Sequence, residues 1–525
     1  MQRVVIVGGG ITGLTLAWTL RQRTFADPLQ ITVLERGTRA GGAVRTDVVD
    51  GYLCEHGPGG FLDNATTTLA LVRDLGLEGR LVTSRDAARR RFVVRHGRLY
   101  RIPRSIGELL TTPLLSRRGR LRVILEPVAA RRPEGDESIE AFAVRRIGRE
   151  AAAAFIEPMA AGIFGGDARE LSLRACLPRF WELETRYGGL LQAFAARRLA
   201  AAACSIAEAV SNRRRTRQRA PTIPGHSRGA APPGPGRPSR SVTPGSPAGR
   251  LLSFAGGMGE LVGALCDRLG ETIRGGHRVV AIHPIPRPAD PDAPPGPRYV
   301  VDVAEFGSIE ADAVVLTGAT EEAAAIVAGV DPALAGTLRR IPHVPLVVVC
   351  LGYCAETLAA AGVQLDGFGF LVPREEPLRV LGVVWESSIY PGRAPEGRVL
   401  LRAIVGGARD PGAVHLDEPV LVEAVRRDLA RTMRLDGDPA FTRVVRHPQG
   451  LPQYTLGHFE RLAAIEERLS HHPGLFLAGH AYRGMGVNAC VGEARSLADR
   501  ILAYLDARRS QGSPADPDTA SDLRT

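Results

Sequence analysis

The chain has 525 residues, 44% of them hydrophobic and 23% charged, with a formal net charge of +11. That suits two or three domains around a large core and excludes a small disulfide-built scaffold. Seven cysteines, scattered and without a C-x-x-C pair, and twelve dispersed histidines point to no metal site. The positive charge lies in short arginine runs such as Arg89-Arg90-Arg91, with no recognisable nucleic-acid module around them. Nucleic acid is therefore not expected as a partner, and anionic lipid or an acidic substrate accounts for the charge at least as well.

Arg3-Val4-Val5-Ile6-Val7 is a short, β-branched, nearly all-apolar run, the pattern of a buried parallel strand. It leads into Gly8-Gly9-Gly10-Ile11-Thr12-Gly13, which satisfies G-x-G-x-x-G through Gly8, Gly10 and Gly13, and Leu14 to Arg21 reads as the helix these glycines open. A second strand, Ile31-Thr32-Val33-Leu34, ends on Glu35, 22 residues past Gly13. The glycines serve a tight turn, close approach of backbone to a pyrophosphate, and packing of helix on strand. The helix N-terminus offers free N–H groups, and Glu35 can accept from a ribose hydroxyl. This pattern predicts a dinucleotide. Arg36 to Thr46 then form a second glycine-rich loop, with Gly41, Gly42 and Arg45, where a nicotinamide fold would pass to its next crossover helix. A longer cofactor running deeper into the protein suits that loop, which argues for FAD.

Gly51 to Pro58 reads as a strand entering a turn, Ala65 to Leu75 as a helix, and Arg91 to Tyr100 as a hairpin turning at His96-Gly97. From Ser105 to about Val210 the pattern is helical, with apolar and cationic faces that suit either a membrane surface or packing on the body. Asn212 to Gly249 has no acidic or aromatic residue and is dominated by Pro, Gly, Arg and Ser, so it is expected to be disordered. Order resumes at Leu251, and the buried strand Ala311 to Leu316 is expected to rejoin the first sheet. Leu346 to Tyr353, Phe368 to Val372, Arg379 to Trp385 and Val399 to Val405 form the strands of a second, mostly β domain. Strand Leu475 to Ala478, the turn Gly479 to Asn488, and a helix from about Ala489 to Leu505 again aim a helix N-terminus at a cofactor.

The expected organisation is an α/β fold. A Rossmann-like FAD-binding domain is split over 1–85, 251–335 and 447–507, and a mostly β substrate domain over 86–104 and 336–446. A helical lobe spans 105–211, a disordered insertion 212–250 and a polar tail 508–525. No apolar run is long enough to span a bilayer, and Met1 precedes the first strand too closely for a signal segment. A cytoplasmic location, peripheral on the membrane face, is expected.

Over nearly its full length the chain resembles the oxygen-dependent porphyrinogen oxidases of the flavin amine oxidase superfamily. The opening glycine motif and the Glu35…Gly41-Gly42…Arg45 loop are superfamily-wide. More particular are Pro158 to Asp167 with Leu171-Ser172, Ser253 to Met258, Gly367 to Pro373, Tyr390 to Pro395, and Pro452-Gln453-Tyr454 with Gly457-His458. The resemblance implies FAD as cofactor, a porphyrinogen (protoporphyrinogen IX or coproporphyrinogen III) as substrate and O2 as acceptor with H2O2 as product, in haem biosynthesis. It further implies a helical lobe that associates with membranes; ferrochelatase as recipient of the product and a second copy of the chain in a homodimer are candidate partners, with the oligomeric state left open.

By position, Arg91 resembles the arginine that pairs with a substrate propionate, with Arg95 beside it. Leu346, Leu371 and Tyr390 match apolar positions that hold the pyrroles, and Gly165-Gly166 the backbone near the reacting ring. The cofactor set is Gly8, Gly10, Ile11, Thr12, Gly13, Glu35, Arg36, Gly41, Gly42, Arg45, Gly57, Pro58, Val279, Gly479, Val487 and Asn488. Val279 matches a contact to the adenine and Val487 one near the flavin pyrimidine edge. Asn488 departs from the glycine of many members. The rival readings are another flavin oxidase or desaturase, acting on an amine or a carotenoid, and a non-catalytic porphyrin- or FAD-binding protein.

Overall fold

The computed structural model describes residues 1–23, 29–130, 132–193, 196, 249–286 and 298–512. Most of the 212–250 insertion, the Pro-rich turn before Tyr299 and the tail beyond 512 lie outside the described residues.

Two sheets frame the molecule. The first has five parallel strands in the order Ile273–Gly275, Gln30–Glu35, Arg3–Val7, Ala313–Leu316, Leu475–Leu477. Val4, Val5 and Ile6 are at most 1% exposed, because helices or strands cover both faces of the sheet. On one side the helices Ile11–Arg23 and Val487–Gly512 contribute Leu14, Leu16, Val491 and Ile501 to a single core. On the other, the three-stranded sheet of Val279–Pro284, Tyr299–Val303 and Gly307–Ala311 and the helices Thr320–Val327, Pro332–Arg339 and His458–Ser470 form a second core. Strands far apart in sequence meet here, with Val4 opposite Ala313 and Val314 opposite Leu475.

The second sheet has seven strands in the order Phe441–Pro452, His343–Cys354, Arg398–Gly406, Val380–Val384, Gly369–Leu371, Phe92–Arg95, Arg98–Arg101. Side chains of strand His343–Cys354, second from the sheet edge, alternate. Val347, Val349 and Leu351 enter the core under helix Glu418–Met433, while on the other face Val348 and Cys350 pack with Tyr52 and Cys54 and Leu346 packs with Ala161. The hairpin turns at His96 and Gly97, whose φ values of 51° and 68° are those of a type I′ turn.

Two expected boundaries are corrected. The change of domain at 446–447 falls inside strand Phe441–Pro452, which pairs with His343–Cys354 from Phe441 to Pro452. Its sequence carries Arg443, Arg446, His447 and Gln449, so this edge strand shows no apolar run to the eye. The boundary at 335–336 falls inside helix Pro332–Arg339, capped at its start by the Asp331 side chain.

In the helical lobe, Ser105, Ser116, Ser138 and Ser172 each cap a helix by accepting a backbone N–H three residues on. Its interior is tied by ion pairs. Arg145 reaches Glu137 and Glu184, both at 2.7 Å, and Arg146 donates to Glu126 from its Nε at 2.7 Å.

Candidate cofactor and substrate sites

The dinucleotide cradle is built where three strands of the first sheet end. Gly8 stands at φ +108°, and a Cβ on Gly13 would lie 2.1 Å from the Gly8 carbonyl, so the helix seats on the strand only with glycine there. Beside Gly10 nothing lies within 4 Å of a built Cβ, which leaves room for a diphosphate over the helix N-terminus at Ile11 and Thr12. The second loop closes over the first through the Gly41 amide, which donates to the Gly9 carbonyl at 2.7 Å. Gly42, at φ +56°, comes only against the Cα of Gly10.

Glu35 accepts the amides of Gly9 and Gly37, each at 2.8 Å, with one oxygen apiece. Each oxygen keeps a lone pair for a ribose hydroxyl. Val279 begins the strand next to this corner and is itself buried, and the His277 amide donates to the Glu35 carbonyl at 2.8 Å. Arg45 pairs with Asp47 at 3.0 Å, while Arg36 is turned outward onto Glu322.

Gly57 packs against the same loop, with a built Cβ 2.5 Å from the Ala43 carbonyl. Gly479 stands at φ +126° and donates to Glu493 at 2.9 Å. Helix Val487–Gly512 opens there, two residues earlier than its apolar pattern predicts, and Asn488 donates to the Leu62 carbonyl at 2.8 Å. Thr317 belongs to this cradle although sequence reading missed it. Its hydroxyl reaches the carbonyls of Val7 at 3.0 Å and Gly8 at 2.9 Å.

The candidate substrate wall lies where helix Glu157–Phe164 meets the second sheet. Gly165 ends this helix at φ +62°, and a built Cβ would lie 3.3 Å from Val344 and 3.4 Å from Leu346. Gly166 fits against Gln453, whose amide nitrogen donates to the Phe164 carbonyl at 2.9 Å. Leu371 fills the groove over Gly162, where a Cβ would fall 2.3 Å from its Cδ2. Gly165, Gly166, Leu346 and Leu371 are therefore brought together.

The strand pairing Phe92–Phe370 puts Arg91 at the edge of this wall, its guanidinium 5.1 Å above the Phe368 ring. Among the described residues its guanidinium has no hydrogen bond or ion pair. It is exposed to solvent, yet the atoms crowding it hold its pKa below the ordinary arginine value, as on the wall of a cleft.

Two expectations for this wall are corrected. Arg95 does not point at a substrate; it donates to the carbonyls of Pro113, at 3.1 Å, and Leu114. Tyr390 is 1% exposed and packs with Ala88 and Ile389, and a Cβ on Gly60 would meet its hydroxyl at 2.4 Å. It supports a loop rather than lining an open wall.

The sequence matches the family described as flavin containing amine oxidoreductase over residues 11–502. The chain belongs to that family. FAD is its cofactor, and the protein is an oxidoreductase. It is 31% identical to the chloroplastic protoporphyrinogen oxidase of Oryza sativa subsp. japonica, covering 95% of this chain and 88% of that one. It is 28% identical to the coproporphyrinogen III oxidase of Bacillus subtilis, covering 96% and 98%. A solved structure from Exiguobacterium sp. 255-15 superposes with a TM-score of 0.76 at 27% identity, covering 96% and 99%. Putrescine oxidase, at 15% identity and a TM-score of 0.61, shares the fold.

As in any member of this family, the cradle must accept a long flavin dinucleotide, and the open space over Gly10 between the two glycine loops fits one. Gly8, Gly10, Gly13, Glu35 and the amides at Ile11 and Thr12 would hold its adenylate half. Gly57, Gly479 and the helix start at Val487 lie towards the substrate wall, where its ring would rest. Two further groups were not singled out from sequence. His343 and His480 face each other with ring centroids 6.1 Å apart, beside Val344 and after Gly479. Burial lowers the pKa of both, that of His480 to about 4, so both imidazoles are held neutral at pH 7 and resist protonation.

Proposed function

We propose that the protein oxidises a porphyrinogen to the corresponding porphyrin in haem biosynthesis, with O2 as the acceptor and H2O2 as the product. The observation that carries this reading is the free guanidinium of Arg91 at the rim of an aliphatic wall built by Leu346 and Leu371, in a chain similar end to end to porphyrinogen oxidases. A flat apolar macrocycle with carboxylate arms needs that combination: aliphatic surface for affinity and a fork of N–H donors for orientation. FAD, when bound, supplies the acceptor for hydride. The chain supplies position. Gly165 and Gly166 bring backbone rather than side chain to the reacting edge, Leu371 packs one face, and Arg91 fixes which edge of the ring is presented.

The neighbouring arginines do not add a second carboxylate site. Arg90 is held by Asp366, whose carbonyl accepts from its Nε at 3.0 Å, and Arg89 pairs with Asp86 at 3.4 Å. Porphyrin fluorescence after addition of protoporphyrinogen IX or coproporphyrinogen III in air tests the proposal, and no acceleration over the spontaneous rate with either one overturns it.

We also propose that the helical lobe rests on an anionic membrane surface. Leu121, Ile124, Leu125 and Val128 are 43–79% exposed on and after helix Arg117–Ile124, next to the exposed Arg117 and Arg118. Among the described residues no helix is long and apolar enough to cross a membrane. Salt-sensitive co-sedimentation with phosphatidylglycerol vesicles, lost in Leu121→Glu/Val128→Glu, is expected; equal binding by the variant contradicts it.

A further inference from the structure

Beneath the loop from Gly57 to Gly60 lies a buried ion pair that no motif marks. Arg402, from strand Arg398–Gly406 of the substrate sheet, is 8% exposed, and Glu386 is 2% exposed. The Arg402 Nε lies 2.7 Å from Glu386 Oε1, and its Nη1 donates across the domains to the Gly57 carbonyl. Its Nη2 faces Gly59, where a Cβ would fall 3.1 Å from that nitrogen and 3.5 Å from Glu386 Oε1.

On the opposite side, Gly57 packs against Ala43 of the cofactor loop. Within the Gly57-Pro58-Gly59-Gly60 segment, Gly57 thus meets the cofactor loop and Gly59 the ion pair with backbone alone. A second buried pair alongside, Arg393 and Glu55, is 3.6 Å apart and engaged elsewhere. Arg393 donates to Ser253 at 2.6 Å, and Glu55 accepts from Met258 at 2.8 Å and Thr46 at 2.7 Å.

We infer that Arg402 and Glu386 are positioning residues for the flavin: together they clamp the Gly57–Gly60 loop at the cofactor's edge and, as a balanced pair, set the electrostatic field there. Glu386 orients the guanidinium fork, and the fork holds the Gly57 carbonyl. In a dry interior the charge left by removing one partner is poorly screened and acts through the loop on the ring. A reduced flavin carries negative charge, so a lone cation favours reduction and a lone anion opposes it.

This inference rests on FAD alone and stands or falls apart from the porphyrinogen reading. The test is the midpoint potential of bound FAD in the full-length holoprotein. Arg402→Gln, which leaves the Glu386 anion, is expected to lower the potential, and Glu386→Gln, which leaves the Arg402 cation, to raise it. Both substitutions break the same bond, so shifts in the same direction, or none, would overturn the inference and leave a purely structural tie. Should a glutamine variant fail to fold, Arg402→Lys decides. It keeps the charge but loses the fork, so FAD should bind the apoprotein about tenfold more weakly, the equivalent of one charge-assisted hydrogen bond. Unchanged FAD affinity in that variant would equally overturn it.

Discussion

The carbonyl of Gly165 accepts the amide of Ala408 at 2.7 Å, and a Cβ on Gly407 would lie 2.3 Å from that oxygen. The end of helix Glu157–Phe164 is thereby docked backbone to backbone on the substrate sheet. Arg409, next in the chain, pairs with Glu157 at 2.8 Å at the start of the same helix. Gly407 also stands at φ +67°. Gly407→Ala should therefore push the Gly165-Gly166 segment off the sheet and cost about 1–3 kcal/mol. Turnover should fall more than FAD content does, as read by activity and flavin absorbance on the same sample.

Among the described residues, the Arg91 guanidinium at the wall has no ion pair. Its replacement by Ala should raise the KM for a porphyrinogen roughly tenfold to a hundredfold, the loss of one charge-assisted pair, with a smaller effect on kcat. Arg91→Lys, which keeps charge but not the fork, should fall between. Arg95→Ala should instead lower thermal stability and leave KM near the parent value, since its donors hold the Pro113 and Leu114 carbonyls.

Gly13→Ala places a methyl 2.1 Å from the Gly8 carbonyl. The helix must then lift from the strand that carries Gly8. The purified variant should be colourless, with FAD uptake lost by titration.

His480 carries a pH dependence. Burial depresses its pKa from 6.5 to about 4. A histidine kept neutral in the fold contributes stability that is complete above its unfolded pKa and is lost as pH falls from 6.5 towards 4, because the unfolded chain takes up the proton first. His343, lowered for the same reason, adds in the same direction. Melting temperature should fall across this window, and His480→Gln should flatten the slope.

Much of the cofactor cradle was legible because its information is local. The strand, the three glycines, the helix and Glu35 lie within one short stretch, and each glycine has a steric reason to be one. The substrate wall was legible in part. Leu346 lies against Gly165 and Leu371 against Gly162 of the same helix, whereas Arg95 and Tyr390 resemble site residues in type but are occupied elsewhere by contacts the sequence does not show. Arg402 with Glu386, and His343 with His480, were not legible at all. Each pair joins residues from different strands or turns, brought together only by sheet order, and no spacing rule connects them. Edge strand Phe441–Pro452 was hidden for the opposite reason: half exposed and rich in polar residues, it lacks the alternation that marks a strand.

The most direct measurement is anaerobic reduction. The holoprotein, its flavin spectrum recorded, is mixed without oxygen with coproporphyrinogen III and, separately, with protoporphyrinogen IX. The flavin band should bleach with at least one of them, and air should restore it with release of porphyrin and H2O2. The faster of the two names the substrate. A yellow protein that neither porphyrinogen bleaches would contradict the account.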